Sequence, residues 1–176
     1  MTGEPSDEAL MLRFAERNDA QAFGLLVARH KDELVRYAAR FLGDHHAGED
    51  VAQEAFVRVF RNAASFDGSR NFAAWLYSIA GNLCRNETRN SRLRPLGMGS
   101  LPEVPSFAPP GPADDIRKAF ARLPDAEREA LMLREFHGMR YLEIAEAMEA
   151  PVGSVRGWIH RGRLRLREEL EKEARS

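Results

Sequence analysis

Apolar residues recur along this chain at intervals of three and four residues, which is the spacing of one face of an α-helix. In the first half, the pattern predicts a helix that begins after Ser6, a long helix from about Ala20 to Leu42, a third from about His46 to Ala64, and a fourth that follows Asn71 and ends near Arg92. Ser6 and Asn71 are good helix caps, and Gly43 can end the second helix. No segment shows the period-two alternation of a β-strand.

Three residues of these helices carry reactive side chains but lie on apolar stripes. His30, Trp75 and Cys84 are each flanked by apolar neighbours at helical spacing. We therefore expect all three to pack in the core and not to act as ligands or stacking surfaces.

The third predicted helix has a compact polar face. Asp50, Gln53 and Glu54 are spaced i, i+3 and i+4, so they lie on one side of the helix. We expect this side to be exposed and to lie opposite the apolar side that contains Phe56 and Phe60. By itself, such a face is also typical of an ordinary solvated helix.

The C-terminal third predicts three further helices in close succession. They are a helix from about Pro124 to His137 that Gly138 ends, a short helix from Arg140 to Met148, and a helix that begins at Pro151. Two helices joined by a turn of three or four residues are typical of a helix-turn-helix. The core is expected to take its apolar side chains from the first two of these helices: Ala130, Leu131, Leu133, Phe136, Leu142, Ala145 and Met148.

The last helix is strongly basic on one side. Five arginines and no acids lie between Val152 and Arg167, which gives a charge of +5. The apolar residues Val155, Ile159, Leu166 and Leu170 form one stripe, and Arg156, His160, Arg163 and Arg167 follow the same steps one residue later. A solvated amphipathic helix would explain this helix alone. The preceding helices favour a second helix that enters the DNA major groove.

Composition divides the chain into two modules. Of 176 residues, 44% are hydrophobic, and six of the nine prolines lie between Pro95 and Ala113. A segment this rich in proline cannot continue a helix and is expected to be extended. We therefore predict an all-α protein of two small helical domains: a four-helix domain at 1–94, a flexible linker at 95–113, and a helix-turn-helix domain at 114–176.

Charge and cysteine content narrow the function. The net charge is −1, but the segment from Arg70 to Arg94 carries five arginines against one acid, which favours a second local contact with nucleic acid. The single cysteine excludes an internal disulfide and a multi-cysteine zinc site, and there is no long apolar run, so a cytoplasmic protein without membrane insertion is expected. No phosphate loop or catalytic constellation is evident, and neither an enzyme activity nor a cofactor is predicted.

Three segments, in order, resemble one known family. Asp50–Phe60 (DVAQEAFVRVF) and Phe72–Leu83 (FAAWLYSIAGNL) resemble two consecutive helices of bacterial sigma factors, and Leu123–Arg156 resembles their final domain. The order and the intervening linker are similar to the short, two-domain extracytoplasmic-function (ECF) class. The resemblance extends from about Asp7 to Leu170.

The resemblance implies a role for each module. The first would bind core RNA polymerase through the β′ clamp helices, using Asp50, Gln53 and Glu54, and the protein would also contact the β subunit. The residues implied at the promoter minus-ten element are Ser69, Arg70, Asn71, Asn82, Arg85, Asn86 and Arg89. Those implied at the minus-thirty-five element are Ser154, Arg156, Gly157, His160, Arg161, Arg163 and Arg165. An anti-sigma factor is a further implied partner.

Two other functions are compatible with parts of the sequence. A stand-alone helix-turn-helix regulator would bind duplex DNA without polymerase. A small nucleic-acid enzyme would bind a metal through Asp44, Glu49 and Asp50, beside His45 and His46. The sequence also departs from the family at Glu149, which stands where glycine is common in the helix-turn-helix turn. If that position needs a positive φ, glutamate costs about 1 kcal/mol there.

Overall fold

A computed structural model describes residues 4–93 and 112–174 of the chain. The chain forms two compact units that divide between Glu103 and Val104, and each unit is considered by itself. Every regular element in the described ranges is helical, which confirms the predicted all-α class. None of the described helices is both long enough and apolar enough to cross a membrane.

The N-terminal unit contains the four helices that the sequence predicts. They are α1 (Asp7–Arg17), α2 (Ala20–Leu42), α3 (His45–Arg61) and α4 (Phe72–Leu93), with a short 3-10 turn at Ala63–Ser65. The side chains of Ser6, Asp19 and Asp44 accept hydrogen bonds from the first turns of α1, α2 and α3. Gly43 ends α2 in the left-handed conformation at φ 74°, as predicted.

Two of the three reactive side chains that were expected in the core of this unit are buried. Cys84 is fully buried, and Trp75 packs against Phe66 and Phe72. His30 is only partly buried, with its side chain 16% exposed and its ring 5.4 Å from that of Phe72. The packing expected of Trp75 and Cys84 is therefore confirmed, whereas His30 lies at the margin of the core.

The helices α2 and α3 approach each other closely at one glycine. A Cβ atom at Gly48 would lie 2.6 Å from the backbone nitrogen of Ala39. Real Cβ atoms do not come so close to backbone, so only glycine permits this contact. Because α3 carries the polar face described above, Gly48 fixes the position of that face relative to α2.

A partly buried ionic cluster joins α1 to α2. His30 Nε2 lies 2.6 Å from Asp7 Oδ2, and Arg29 Nη1 donates to Asp7 Oδ1 at 2.7 Å. Burial opposes ionisation of Asp7, but the hydrogen bonds from Arg29 and His30 outweigh it and lower the pKa of this carboxyl group. The ionised form of Asp7 therefore stabilises the folded unit.

The first helix also supports the start of α4. Glu8 Oε1 accepts a hydrogen bond from the backbone nitrogen of Phe72 at 3.0 Å, and Asn71 Oδ1 accepts one from Ala74 at 2.8 Å. A Cβ atom at Gly68 would lie 2.7 Å from Leu12 Cδ1, so the loop before α4 packs directly on α1. The loop and the first turn of α4 are thus held from outside by α1.

The C-terminal unit has one helix more than the sequence analysis predicted. Its elements are α5 (Pro112–Ala121), α6 (Asp125–Glu135), α7 (Tyr141–Ala147) and α8 (Val152–Glu173). The additional helix is α5, which buries Ala119 in the core together with Leu123. Residues 95–111, which are most of the predicted linker (95–113), lie outside the described residues.

Two expectations about the core of this unit were wrong. Phe136 is 43% exposed and contacts Phe120 at the surface, because the chain leaves α6 at this residue. The buried stripe of α7 is Ile144 and Ala147, whereas Leu142 is 73% exposed. The sequence analysis therefore placed the apolar face of α7 on the wrong side, since a seven-residue helix offers too few positions to define its phase.

Replacing Gly48 tests the close contact between α2 and α3. We expect Gly48→Ala to lower the free energy of unfolding by about 1–3 kcal/mol, because the added methyl group meets backbone that cannot move aside. Gly24 is the matched control, since a Cβ atom there would meet nothing within 4 Å. Gly24→Ala should raise stability by up to about 1 kcal/mol through helix propensity. The free energies of unfolding of both variants are measured in urea. Equal changes in the two variants would contradict the close contact at Gly48.

The lowered pKa of Asp7 predicts a pH dependence with a definite sign. The folded pKa is below the unfolded one, so the stabilisation is complete above about pH 4 and is lost as the pH falls through the folded pKa. Asp7→Asn removes it, at a cost of roughly 1–3 kcal/mol at neutral pH. Urea midpoints of both proteins between pH 2 and 7 should converge in acid. A stability difference that stayed constant over this range would rule out the ionic role.

Candidate functional site

The polar face of α3 is present, and it borders an apolar groove. Asp50 and Gln53 are exposed, and Glu54 is half-exposed, with its Oε1 atom accepting from Arg58 Nε at 2.8 Å. Gln53 and Phe60 both line a groove between α2 and α3. The expected separation of polar and apolar sides of α3 was therefore wrong. Gln53 lies on the same side of α3 as Phe56, one turn away, and Phe60, two turns away.

The groove is the main feature of this surface that sequence reasoning missed. Its apolar walls are Phe23, Val27 and Val35 of α2 and Phe56, Val57 and Phe60 of α3. Phe60 is 52% exposed, and its ring lies 5.0 Å from Phe14 and 5.4 Å from Phe23. The sequence signal that could have indicated the groove was the width of the apolar stripes of α2 and α3, because Phe23 and Phe60 lie at the margins of these stripes.

The loop before α4 is shaped by hydrogen bonds within it. Asp67 Oδ1 accepts from the backbone nitrogen of Ser69 at 2.9 Å, and this bond is the main cause that lowers the pKa of Asp67. Ser69 and Arg70 are exposed beside it. Phe66 is buried, and the carboxamide oxygen of Asn71 caps α4. The exposed part of the loop is therefore polar, with Arg70 as its cation.

The solvent side of α4 carries two asparagine–arginine pairs one turn apart. Arg85 Nη2 donates to Asn82 Oδ1 at 2.7 Å, and Arg89 Nη2 donates to Asn86 Oδ1 at 2.8 Å. Each asparagine restrains the arginine that follows it by three residues. The four side chains share one helix face, as their spacing predicted, and form a basic row along α4.

The basic helix α8 buries one stripe and exposes the other. Val155 and Ile159 are buried, and Gly162 lets the helix approach Leu131 of α6, where a Cβ atom would lie 2.8 Å from Leu131 Cδ1. Arg156 and His160 are exposed, and no hydrogen bond or ion pair holds either of them within residues 4–93 and 112–174. Together with Arg167, which is also exposed and has no such contact in the described residues, they are the side chains of this face that remain available to an external partner.

The other predicted arginines of α8 have partners in the protein. Arg161 and Arg165 both contact Glu127, and Arg163 Nη2 lies 2.6 Å from Glu135 Oε1, all on the α6 side. Ser154 makes no capping bond, because Pro151 occupies the N-cap position of α8. Gly157 leaves space beside the guanidinium of Arg161. Sequence reasoning could not foresee these pairs, since the acids lie about thirty residues upstream.

The helix-turn-helix turn contains a strained residue. Glu149 has a φ of 51°, in the left-handed region that residues other than glycine and asparagine avoid. The backbone nitrogen of Ala150 donates to Ala145 at 2.9 Å, which closes the turn between α7 and α8. Glu149 therefore adopts the positive φ that the sequence analysis raised for this position.

The carboxylates and histidines at the start of α3 form no convergent metal site. Glu49 lies 3.6 Å from His45 and 3.3 Å from His46, and all three side chains are more than half exposed. Asp44 Oδ1 caps α3 by accepting from Ala47 at 2.9 Å. Within the described parts of the chain, no three histidine, cysteine, aspartate or glutamate side chains are arranged to hold a metal ion.

Comparisons with known proteins agree with this geometry. Residues 26–94 match the Sigma-70 region 2 family model, and residues 113–166 match the Sigma-70 region 4 model. The ECF RNA polymerase sigma factor SigW of Bacillus subtilis is 33% identical, over 90% of this chain and 94% of that protein. The ECF RNA polymerase sigma-E factor of Escherichia coli K12 is 32% identical, over 93% of each chain.

Solved structures share the fold. CnrH, solved in complex with the cytosolic domain of CnrY, superposes with a TM-score of 0.73 at 28% identity, over 94% of this chain and 97% of CnrH. The sigma factor RpoE of Bartonella quintana, solved with the anti-sigma factor NepR, gives 0.72 over 86% of this chain and 98% of RpoE. Its identity of 23% supports the fold alone.

Two helical units, one with a polar helix face and a basic row and the other with a basic helix-turn-helix, define a two-module transcription factor. The chain belongs to the ECF sigma factors of bacterial RNA polymerase. It is therefore a subunit that gives the polymerase its promoter specificity in initiation, and it is not an enzyme. These comparisons do not favour a stand-alone regulator.

Replacing Glu149 with glycine tests the strain in the turn. We expect Glu149→Gly to raise the free energy of unfolding by about 1 kcal/mol, because glycine adopts the left-handed conformation without penalty. The matched control is Glu168, an exposed residue away from the ends of α8. Glu168→Gly should lower stability by about 1 kcal/mol through helix propensity. Thermal or urea unfolding measures both, and the same sign for both variants would disprove the strain.

Proposed function

We propose that the two units of this sigma factor divide promoter recognition and polymerase binding between them. The N-terminal unit, 1–94, binds core RNA polymerase and receives the minus-ten element. The C-terminal unit, 114–176, reads the minus-thirty-five element, and the segment 95–113 links them. The observation that carries this proposal is the presence, on two separate units, of exposed polar or basic helix faces at the positions that the family motifs indicate.

The α3 face suits a protein contact. Asp50 and Gln53 offer exposed polar groups on a rigid helix, and the groove beside Gln53 adds apolar surface. A small apolar centre with a polar rim is typical of specific protein interfaces. We assign this surface to the β′ clamp helices of the polymerase, with Asp50, Gln53 and Glu54 as polar contacts. Contact of the protein with the β subunit is part of the same proposal.

The loop before α4 and the basic row of α4 suit an unpaired strand. Ser69, Arg70 and Asn71 lie at the loop, and the Asn82–Arg85 and Asn86–Arg89 pairs continue along the helix. Guanidinium groups bind the phosphates, and the amide groups can read base edges. We assign this surface to the non-template strand of the minus-ten element, which leaves the duplex when the promoter opens.

The basic face of α8 suits the major groove of duplex DNA. Arg156 and His160 project from its first turns, next to Ser154 and Gly157 near the N-terminus of the helix. In helix-turn-helix proteins, the residues at this end of the second helix contact base edges. Arg161 follows as a further contact to a base edge or phosphate, and Arg163 and Arg165 extend the contact to the DNA backbone.

Two further features of this function rest on the family. A sigma factor works where RNA polymerase transcribes, so we place its action in the cytoplasm. We also propose an anti-sigma factor as a regulatory partner, as the family resemblance implies; the neighbour CnrH was itself solved in complex with another protein, the cytosolic domain of CnrY. The apolar groove of α2 and α3 has the character of a surface that binds an amphipathic helix.

The double variant Gln53→Ala, Glu54→Ala tests the polymerase contact. We expect its affinity for core RNA polymerase to fall at least about tenfold, because both side chains lie in the proposed interface. Circular dichroism should be unchanged, since neither side chain is in the core. The readouts are binding of labelled protein to core enzyme and in vitro transcription from a promoter library.

The matched control is Glu16→Ala, Gln21→Ala, which removes the same two side-chain types from exposed positions on α1 and α2. It should bind core enzyme as the wild type does. Normal affinity of the Gln53, Glu54 variant would refute the assignment of α3. If the free protein bound promoter DNA and core enzyme did not change that binding, the result would instead count against the division of roles between the two units.

A further inference from the structure

Glu127 is a buried carboxylate directly behind the DNA-facing helix. It lies in the first turn of α6, its residue is 4% exposed, and it belongs to the α6 surface that α8 covers. A carboxylate removed from water is tolerated only when cationic or hydrogen-bonding partners replace the lost hydration. Both partners that the structure gives Glu127 are arginines of α8.

One carboxylate thus restrains two arginines one turn apart. Arg161 Nε donates to Glu127 Oε1 at 3.1 Å, and Arg165 Nη1 lies 3.2 Å from Glu127 Oε2. The second contact is an ion pair without a well-directed hydrogen bond. The side chains of both arginines remain about half exposed, at 51% and 48%. Glu127 therefore holds Arg161 by its inner nitrogen Nε and Arg165 by the terminal nitrogen Nη1, and both side chains still reach solvent.

Gly157 determines where the outer end of Arg161 lies. A Cβ atom at Gly157 would be 3.0 Å from Arg161 Nη1 and 3.7 Å from Nη2. The guanidinium thus lies along the preceding turn of α8, in space that any side chain at position 157 would occupy. Its Nε is engaged with Glu127, which leaves the two terminal nitrogens as a fork beside Gly157 and the exposed Arg156 and His160.

The pair between Arg163 and Glu135 differs from this arrangement. Both of its side chains are about half exposed, at 53% and 45%, so water competes with the contact and it restrains Arg163 weakly. Burial of one partner makes the Glu127 contacts the stronger restraint on the basic face.

We propose that Glu127 is a positioning residue for promoter recognition, which holds Arg161 so that its terminal nitrogens meet one base-pair edge in duplex DNA. This inference rests on the proposed function of α8. An arginine fork recognises guanine through O6 and N7, and a side chain that is already ordered loses less entropy on binding. Gly157 is the second determinant, because it keeps the space that this orientation needs.

The proposal predicts that Glu127→Gln changes two properties of DNA binding in opposite directions. Discrimination between the promoter element and a scrambled duplex should fall about tenfold, the lower part of the range for one arginine–guanine contact. Binding to the scrambled duplex should become tighter and more salt-dependent, because the variant loses a negative charge and frees arginines for phosphates. The slope of log K against log salt should steepen by up to about 0.9 for each phosphate gained.

The experiment uses the full chain assembled with core RNA polymerase. A promoter selected from a random library by the wild-type holoenzyme is compared with the same duplex whose minus-thirty-five element is scrambled, at several salt concentrations. Loss of folding would weaken binding to both duplexes, so it cannot produce the predicted opposite changes. Glu171→Gln removes the same charge from an exposed position near the end of α8 and should leave discrimination unchanged.

Gly157→Ala tests the same orientation without altering the carboxylate. Alanine favours the helix, so the variant should fold, but its methyl group displaces the guanidinium and should also lower discrimination. In an Arg161→Ala background, neither Glu127→Gln nor Gly157→Ala should reduce discrimination further. This inference would be overturned, with the role of α8 left intact, if Glu127→Gln discriminated as well as the wild type. The same would follow if the losses of discrimination caused by Glu127→Gln and Arg161→Ala were fully additive. A wild-type holoenzyme that ignores the scrambling would overturn the role of α8 as well.

Discussion

Each helix that carries a candidate surface buries one narrow stripe against a neighbouring helix, and the direction of its exposed side chains depends on that burial. In α8, Val155 and Ile159 are buried, and Gly162 allows close approach to Leu131 of α6. In α3, Gly48 does the same against α2. Because a helix is rigid, fixing one side also fixes the direction of every side chain on the other.

The sequence predicted helix positions well because local signals determine them. Ser6, Gly43 and Asn71 act at the helix ends as their chemistry indicates, and the long stripe of α2 gave the bounds of that helix. The same pattern is present in α5, where Ile116, Ala119 and Phe120 are spaced i, i+3 and i+4. It was overlooked because the helix begins directly after a proline-rich segment.

The surface was less predictable, because it depends on contacts between distant residues. Spacing correctly grouped Asn82, Arg85, Asn86 and Arg89 on one face of α4, since that relation lies within one helix. It could not show that Glu127 faces two arginines of α8, or that Gln53 borders a groove completed by Phe23 of α2. A count of charges along α8 therefore overstates the positive charge available to DNA.

The hydrogen bond from Phe72 to Glu8 has a practical consequence for dissecting this molecule. The match to the region 2 family model begins at residue 26, which leaves all of α1 outside it. A fragment cut at that boundary would remove Glu8 and Leu12, the external supports of the loop and first turn that precede the basic row. Fragment design guided by family limits alone would thus discard a support of the proposed DNA-binding surface, and the excised piece would hold this loop and helix turn less firmly than the intact chain does.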